Sequence, residues 1–222
     1  MKKIVITGVS SGIGYATAKI LTKSGYYVYG SVRNENDAER LSKELGDNFK
    51  ALIFDVTNID SILKNVKIVQ SDLKSNEVIS GLINNAGIAL GGPVSLIDTN
   101  IFRKQFDVNF FGLIDVTKAF LPLLGASKKS YYKGKIINIS SVSGLRANPF
   151  LAPYSASKFA LEAFSDSLRR ELLIYGVDVI LIEPGPIKTA IWDKAPNPDD
   201  NPFIGTDFEE SLKIFYKQVV VK

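Results

Sequence analysis

Cysteine and histidine are both missing from this sequence of 222 residues, and methionine and tryptophan occur once each. Without cysteine there is no disulfide, no thiol nucleophile and no zinc–thiolate centre. Without histidine, the commonest general base near neutral pH and the commonest metal ligand are gone as well. Proton transfer therefore falls to Tyr, Lys, Asp or Glu, and no metal site is expected. Long apolar runs are lacking too, since nothing approaches the roughly 18 consecutive residues of a membrane span. After Met1-Lys2-Lys3 only Ile4, Val5 and Ile6 precede polar Thr7, too little for the apolar centre of a signal peptide. These absences set the expectation of a cytoplasmic protein with no membrane partner. Charge of either sign is scarce in excess, with 27 basic against 23 acidic residues and a net charge of +4. The densest basic run, Lys128, Lys129, Lys133 and Lys135 around Tyr131 and Tyr132, reads as a solvated loop, and no nucleic-acid partner is expected.

What the chain does contain is a normal hydrophobic share of 45%, arranged as short β-branched runs alternating with longer helical patterns. Strands are predicted at 3–6, 27–32, 50–54, 81–84, 135–139 and 178–182. Helices are predicted at 12–24, 35–45, 59–73, 99–124 and 153–175. This alternation predicts an α/β fold: a single doubly wound parallel sheet, Rossmann-like, with helices on both faces. No repeat or linker interrupts it, so residues 1–222 read as one domain. From Pro184 to Thr206 the composition changes, with five prolines among Asn and Asp, together with Ile187, Ile191, Trp192, Phe203 and Ile204. This segment reads as an apolar substrate lid over about 185–218, or as a loop tucked against the body. Asp207 to Val219 reads as a short amphipathic helix.

Three constellations carry chemistry. The turn Thr7-Gly8-Val9-Ser10-Ser11-Gly12-Ile13-Gly14 joins the first strand to the first helix. Its glycines permit a tight turn and let backbone N–H groups approach a pyrophosphate. At the end of the second strand, where an acidic residue would hold the ribose hydroxyls of NAD, stand Val32 and Arg33. A guanidinium there binds a 2′-phosphate, so NADP(H) is favoured over NAD(H), although Glu35 and Asp37 lie close by. Asp55, in Asp55-Val56-Thr57 after the third strand, is placed to meet the adenine amino group. Second, Tyr154 and Lys158 stand four apart on a helix and project from one face. An ammonium ~4 Å from the phenol, at an effective dielectric near 20, favours the phenolate by roughly 4 kcal/mol, enough for acid–base work near neutral pH. Third, Ser141 follows the fifth strand, at the sheet edge where ligands collect, and its hydroxyl can donate to a developing alkoxide. Taken alone, each signal also has a plain structural reading.

Together they resemble the short-chain dehydrogenase/reductase family over nearly the whole chain. The matching residues are Thr7-Gly8-x-x-x-Gly12-x-Gly14, Asn84-Asn85-Ala86-Gly87, Asn109 in Asp107-Val108-Asn109-Phe110-Phe111-Gly112, Ser141, Tyr154, Lys158 and Pro184-Gly185-Pro186-Ile187-Lys188-Thr189. Ser141 lies 13 residues before Tyr154, as in many members. The resemblance implies a catalytic tetrad of Asn109, Ser141, Tyr154 and Lys158. Tyr154 would protonate the carbonyl oxygen as hydride arrives from the nicotinamide. Lys158 would lower the tyrosine pKa and bind the nicotinamide ribose, and Ser141 would hold the substrate oxygen. Asn109 would keep a helix locally open around a water linking Lys158 to solvent. Cofactor contacts would come from Gly8, Ser10, Ser11, Gly12, Ile13, Gly14, Arg33, Asp55, Val56, Asn85, Ala86, Gly87, Tyr154, Lys158, Pro184, Gly185, Ile187 and Thr189. The run from Tyr154 to Leu172 is similar to the 17β-hydroxysteroid and retinol dehydrogenase branch. It implies a lipophilic ketone, aldehyde or secondary alcohol as substrate, and leaves room for a dimer or tetramer. A different function, an NADP(H)-binding sensor or scaffold without turnover, is opposed by the presence of both Tyr154 and Lys158.

Overall fold

A computed structural model describes residues 1–192 and 201–217. Six strands, β1 (Lys3–Ile6), β2 (Tyr27–Val32), β3 (Phe49–Ile53), β4 (Gly81–Asn84), β5 (Lys135–Ile139) and β6 (Asp178–Ile182), form one sheet. They lie in the order β3-β2-β1-β4-β5-β6, and every pairing is parallel. The third strand starts one residue earlier than the sequence pattern predicts, because Phe49 pairs with Val28 and buries its ring.

Successive strand residues point to opposite faces, and each face meets its own helices. Val5, Tyr29, Leu52, Leu82 and Ile136 share one core with Ile62 and Val69 of α3 (Ile59–Ser71), Val116 and Phe120 of α5 (Gly112–Phe120), and Leu172 of α6 (Ala152–Leu172). Ile4, Ile6, Val28 and Ile83 share the other with Ala18 of α1 (Gly12–Lys23) and Leu41 of α2 (Glu35–Leu45). The doubly wound expectation holds. Coverage is unequal, since Ile180 and Ile182 of β6 stay 40% and 47% exposed.

The stretch predicted as one helix over 99–124 is divided. It comprises α4 (Thr99–Phe106), a π-helical turn (Asp107–Phe111), α5, and a closing 3₁₀ turn (Leu121–Leu124) in which Pro122 supplies no N–H donor. α6 likewise ends in a 3₁₀ turn (Leu173–Tyr175) before left-handed Gly176. Within the expected helix 207–219 lies α7 (Glu209–Phe215). The lid prolines Pro196 and Pro198, and Val219 at the predicted end of that helix, lie outside the described residues. Among the described residues, no helix is long and apolar enough to cross a membrane.

Candidate active site

The carboxyl ends of the strands open into a cleft of about 1140 Å³, placed where the strand order reverses between β1 and β4. Every site residue named from the sequence lines it except Gly14. Gly14 sits behind the turn: an added Cβ would fall 2.2 Å from the Gly8 carbonyl oxygen and 2.3 Å from Asn85 Nδ2. Gly12 has φ +59, and a Cβ there would press on Thr189, which reaches over it from the loop after β6.

Around this turn the hydrogen bonds converge. Asn85 Nδ2 donates to the carbonyls of Thr7 and Gly8, both at 2.9 Å, so Asn85 props the turn from beneath. The Thr7 hydroxyl accepts from the backbone N–H groups of Asn85 and Ala86. α2, α3 and α4 are capped by the side chains of Asn34, Asn58 and Asp98, whereas Ser11 at the head of α1 makes no such bond. The leading N–H groups of α1 therefore keep their capacity for an anion, and no acidic residue occupies the first turn. With backbone filling the turn and a long cleft beyond it, the residues fit a dinucleotide.

At the end of the cleft nearer β2, Arg33 is exposed and has no hydrogen-bond or ion-pair partner among the described residues. Asp37, which clouded the reading of the sequence, is already engaged: Asn34 Nδ2 reaches it at 3.1 Å and Arg40 Nη2 at 2.7 Å. One oxygen of Asp55, a residue that lines the cleft, accepts from the N–H and hydroxyl of Thr57 at 2.9 and 2.7 Å.

At the opposite end, α6 presents Tyr154 and Lys158 one turn apart, both buried. Tyr154 is hydrogen-bonded to the Ser141 hydroxyl, which pulls its pKa down, but burial outweighs this and pushes the phenol above its ordinary value. Lys158 Nζ lies 5.7 Å from the Tyr154 ring centroid and donates to the Ile139 carbonyl at 2.8 Å. The β5 carbonyl takes one N–H of the ammonium, and the bond with Ser141 is what opposes burial at Tyr154. Burial in turn pushes Lys158 down to about 8, with the Glu162 carboxylate, one turn further on, opposing the fall.

Asn109 sits within the π-helical turn, where the ladder opens. Its side chain pairs with both backbone groups of Ile88, Nδ2 to O at 3.0 Å and N–H to Oδ1 at 2.9 Å, and Nδ2 also reaches Ser157 Oγ at 3.3 Å. Sequence reading missed a second clamp on the same loop. Gln105, fully buried, accepts from Leu90 N–H at 2.7 Å and donates to Ile88 O at 2.8 Å. Nothing in a lone glutamine signals this role. Also missed is Arg40, whose Nη2 donates to the Ser10 carbonyl at 2.9 Å. Beyond Tyr154 the wall is apolar: Ala89 and Leu151 pack with Tyr154, and Ile191 and Phe215 close over them. Of the residues between Ser141 and Tyr154, Val142, Ser143, Asn148 and Leu151 line the cleft, but Arg146 and Phe150 do not. Among the described residues, no cluster of carboxylates is arranged to hold a metal ion.

The family model for short chain dehydrogenases matches residues 2–200. An NADPH-dependent 3-dehydrocapnine reductase of Ornithobacterium rhinotracheale is 45% identical over 210 residues, spanning 95% of this chain and 74% of the relative. A 3-ketodihydrosphingosine reductase of Bacteroides thetaiotaomicron is 36% identical over 218 residues, spanning 97% and 76%. The closed form of a serine dehydrogenase complexed with NADP+ superposes with a TM-score of 0.75 at 30% identity, covering 85% of this chain and 74% of that one.

Proposed function

Because this chain belongs to the short-chain dehydrogenase family, we propose that it reduces a lipophilic ketone or aldehyde with NADPH, using Tyr154 as the proton donor. It is an oxidoreductase of carbonyl and alcohol groups. The observation that carries the reading is the meeting of Tyr154 and Ser141 by hydrogen bond on the cleft wall, with Lys158 buried one turn away.

The nicotinamide, when bound, supplies the hydride. Gly8, Ser10, Ser11, Gly12, Ile13, Asn85, Ala86 and Gly87 would hold the cofactor along the turn, with Gly14 behind it and Pro184, Gly185, Ile187 and Thr189 from the far side. Asp55 and Val56 would take the adenine, and Arg33 a 2′-phosphate. The unpartnered Arg33, the engaged Asp37 and the NADPH-dependent relative support NADP(H) over NAD(H).

Ser141 holds the substrate oxygen, and Tyr154 passes its phenolic proton to that oxygen as the carbon is reduced. A phenol pushed above its ordinary pKa stays protonated at neutral pH, which is the form that reduction requires. Lys158 supplies positive charge beside the phenolate that remains, and Asn109 holds the opened turn next to it. The apolar wall of Ala89, Leu151, Ile191 and Phe215 supports an uncharged, lipophilic substrate, with residues 185–192 and 201–217 of the expected lid over it. Two relatives named as reductases support the reducing direction.

Consumption of NADPH with a panel of lipophilic ketones should fall by about 10²–10⁴-fold in Tyr154→Phe, the range that general acid catalysis contributes. NADPH binding, followed by fluorescence, should persist. Turnover that survives this substitution would remove Tyr154 from the mechanism.

A further inference from the structure

α2 begins at the wall of the cleft and carries a charge cluster whose arrangement has no structural need to touch the glycine-rich turn, yet it does. Arg40 spans the gap. Its Nη2 donates to the Ser10 carbonyl at 2.9 Å and to Asp37 Oδ1 at 2.7 Å, and Nη1 lies 3.9 Å from Glu44 Oε2. Asp37 Oδ2 accepts from Asn34 Nδ2 at 3.1 Å, so both carboxylate oxygens are consumed. Glu44 is held in turn by the Tyr15 hydroxyl and by Lys19 at 3.4 Å. Ser10 and Arg33 line the same end of the cleft, whereas Asp37 does not reach it.

We propose that Arg40 is a positioning residue that sets the preference for a 2′-phosphorylated dinucleotide, by fixing Ser10 and by neutralising Asp37 beside Arg33. The inference rests on the reading of this cleft as an NADP(H) site. The Ser10 hydrogen bond joins α2 to the turn, so the two walls that would flank the phosphate hold a constant separation. The ion pair acts through charge. A carboxylate released in the first turn of α2 would compete for Arg33 and repel a phosphate dianion, and it would leave a ribose hydroxyl unopposed. Arg33 presents the guanidinium, and Arg40 keeps it available.

Calorimetric titration with NADP+ and with NAD+ tests this on the wild type, Arg40→Gln and the double variant Arg40→Gln/Asp37→Asn. Arg40 is nearly half exposed, so the variants are expected to fold, and their thermal midpoints check that they do. Arg40→Gln should weaken NADP+ by about tenfold and leave NAD+ within about twofold, the size expected when one exposed charge pair becomes a net negative charge beside a phosphate. Adding Asp37→Asn should recover most of the loss. Equal weakening of both cofactors would make Arg40 a mere support of the turn and overturn the proposal. So would unchanged NADP+ affinity, or a double variant no better than the single. A wild type that binds both cofactors alike would overturn the NADP(H) reading itself, and the inference with it. A discriminating wild type with an unaffected Arg40→Gln would overturn the inference alone.

Discussion

Lys158 enters the core as a cation, and that placement has a thermodynamic consequence separable from catalysis. Its folded pKa is pushed from 10.5 to about 8, mainly by burial. Below pH 8 the amine is charged in both the folded and the unfolded chain, and the full cost of burying it is carried. Between about pH 8 and 10.5 the folded protein gives up this proton first, so the unfolded chain binds more protons and stability rises with pH. Lys158→Met should therefore stabilise the fold at pH 7 by about 2 kcal/mol, after allowing ~1 kcal/mol for the lost bond to the Ile139 carbonyl. The advantage should disappear above pH 10.5, while reductase activity is lost at every pH. Urea unfolding of the two proteins at both ends of this range measures it, and a variant less stable at pH 7 would contradict the buried-charge account. The same residue marks a limit of reading from spacing. Tyr154 and Lys158 at i and i+4 do share a helix face, but helical geometry cannot say that a carbonyl of β5 will claim the ammonium.

At the scale of elements, the π-helical turn is the informative departure from pattern. The periodicity over 99–124 is helical throughout, and only the resemblance to a family pointed to an opening at Asn109. The structure gives the local cause: Asn109 trades helix-internal regularity for two hydrogen bonds to Ile88 and one to Ser157, and Gln105 repeats the arrangement one turn earlier. Replacing Asn109 with Leu leaves the N–H of Ile88 without its partner in a half-buried place, and its C=O with Gln105 alone. We expect a loss of about 1–3 kcal/mol in chemical denaturation and weaker NADPH binding, because Gly87, packed on Asn109, lines the cleft. A stability loss under ~0.5 kcal/mol, the level of an ordinary surface substitution, would mean that the Ile88 clamp is dispensable.

Over the whole molecule, the cleft gathers loops from all six strands, so a ligand there ties together segments distant in sequence. NADP+ at 100 times its Kd should add about 2.7 kcal/mol to the folded state, raising the melting temperature by roughly 5–10 °C for a chain of this size. At the same concentration NAD+ should raise it less. Equal shifts in differential scanning fluorimetry would argue against the cofactor preference proposed above.

Much of this protein was already determined by local residue patterns. The β-branched runs define six strands within a residue or so, because alternation between two buried faces is a periodic constraint carried by neighbours. The glycines at 8, 12 and 14 define the turn, because positions 8 and 12 have positive φ and the backbone leaves no room for a Cβ at 14. The absence of histidine and cysteine narrows the acid to Tyr, Lys, Asp or Glu, and the resemblance to a family singles out Tyr154 among them. What only the tertiary structure decided depends on residues far apart in the chain. Arg40 meets Ser10 across 30 positions and Gln105 meets Ile88 across 17, while Lys158 meets a carbonyl 19 residues upstream. The division of the long helix and the closing of Ile191 and Phe215 over Tyr154 belong to the same class. Hydrogen bonds and packing across such separations are fixed by where the sheet and its helices place each end, and no local sequence period records that placement.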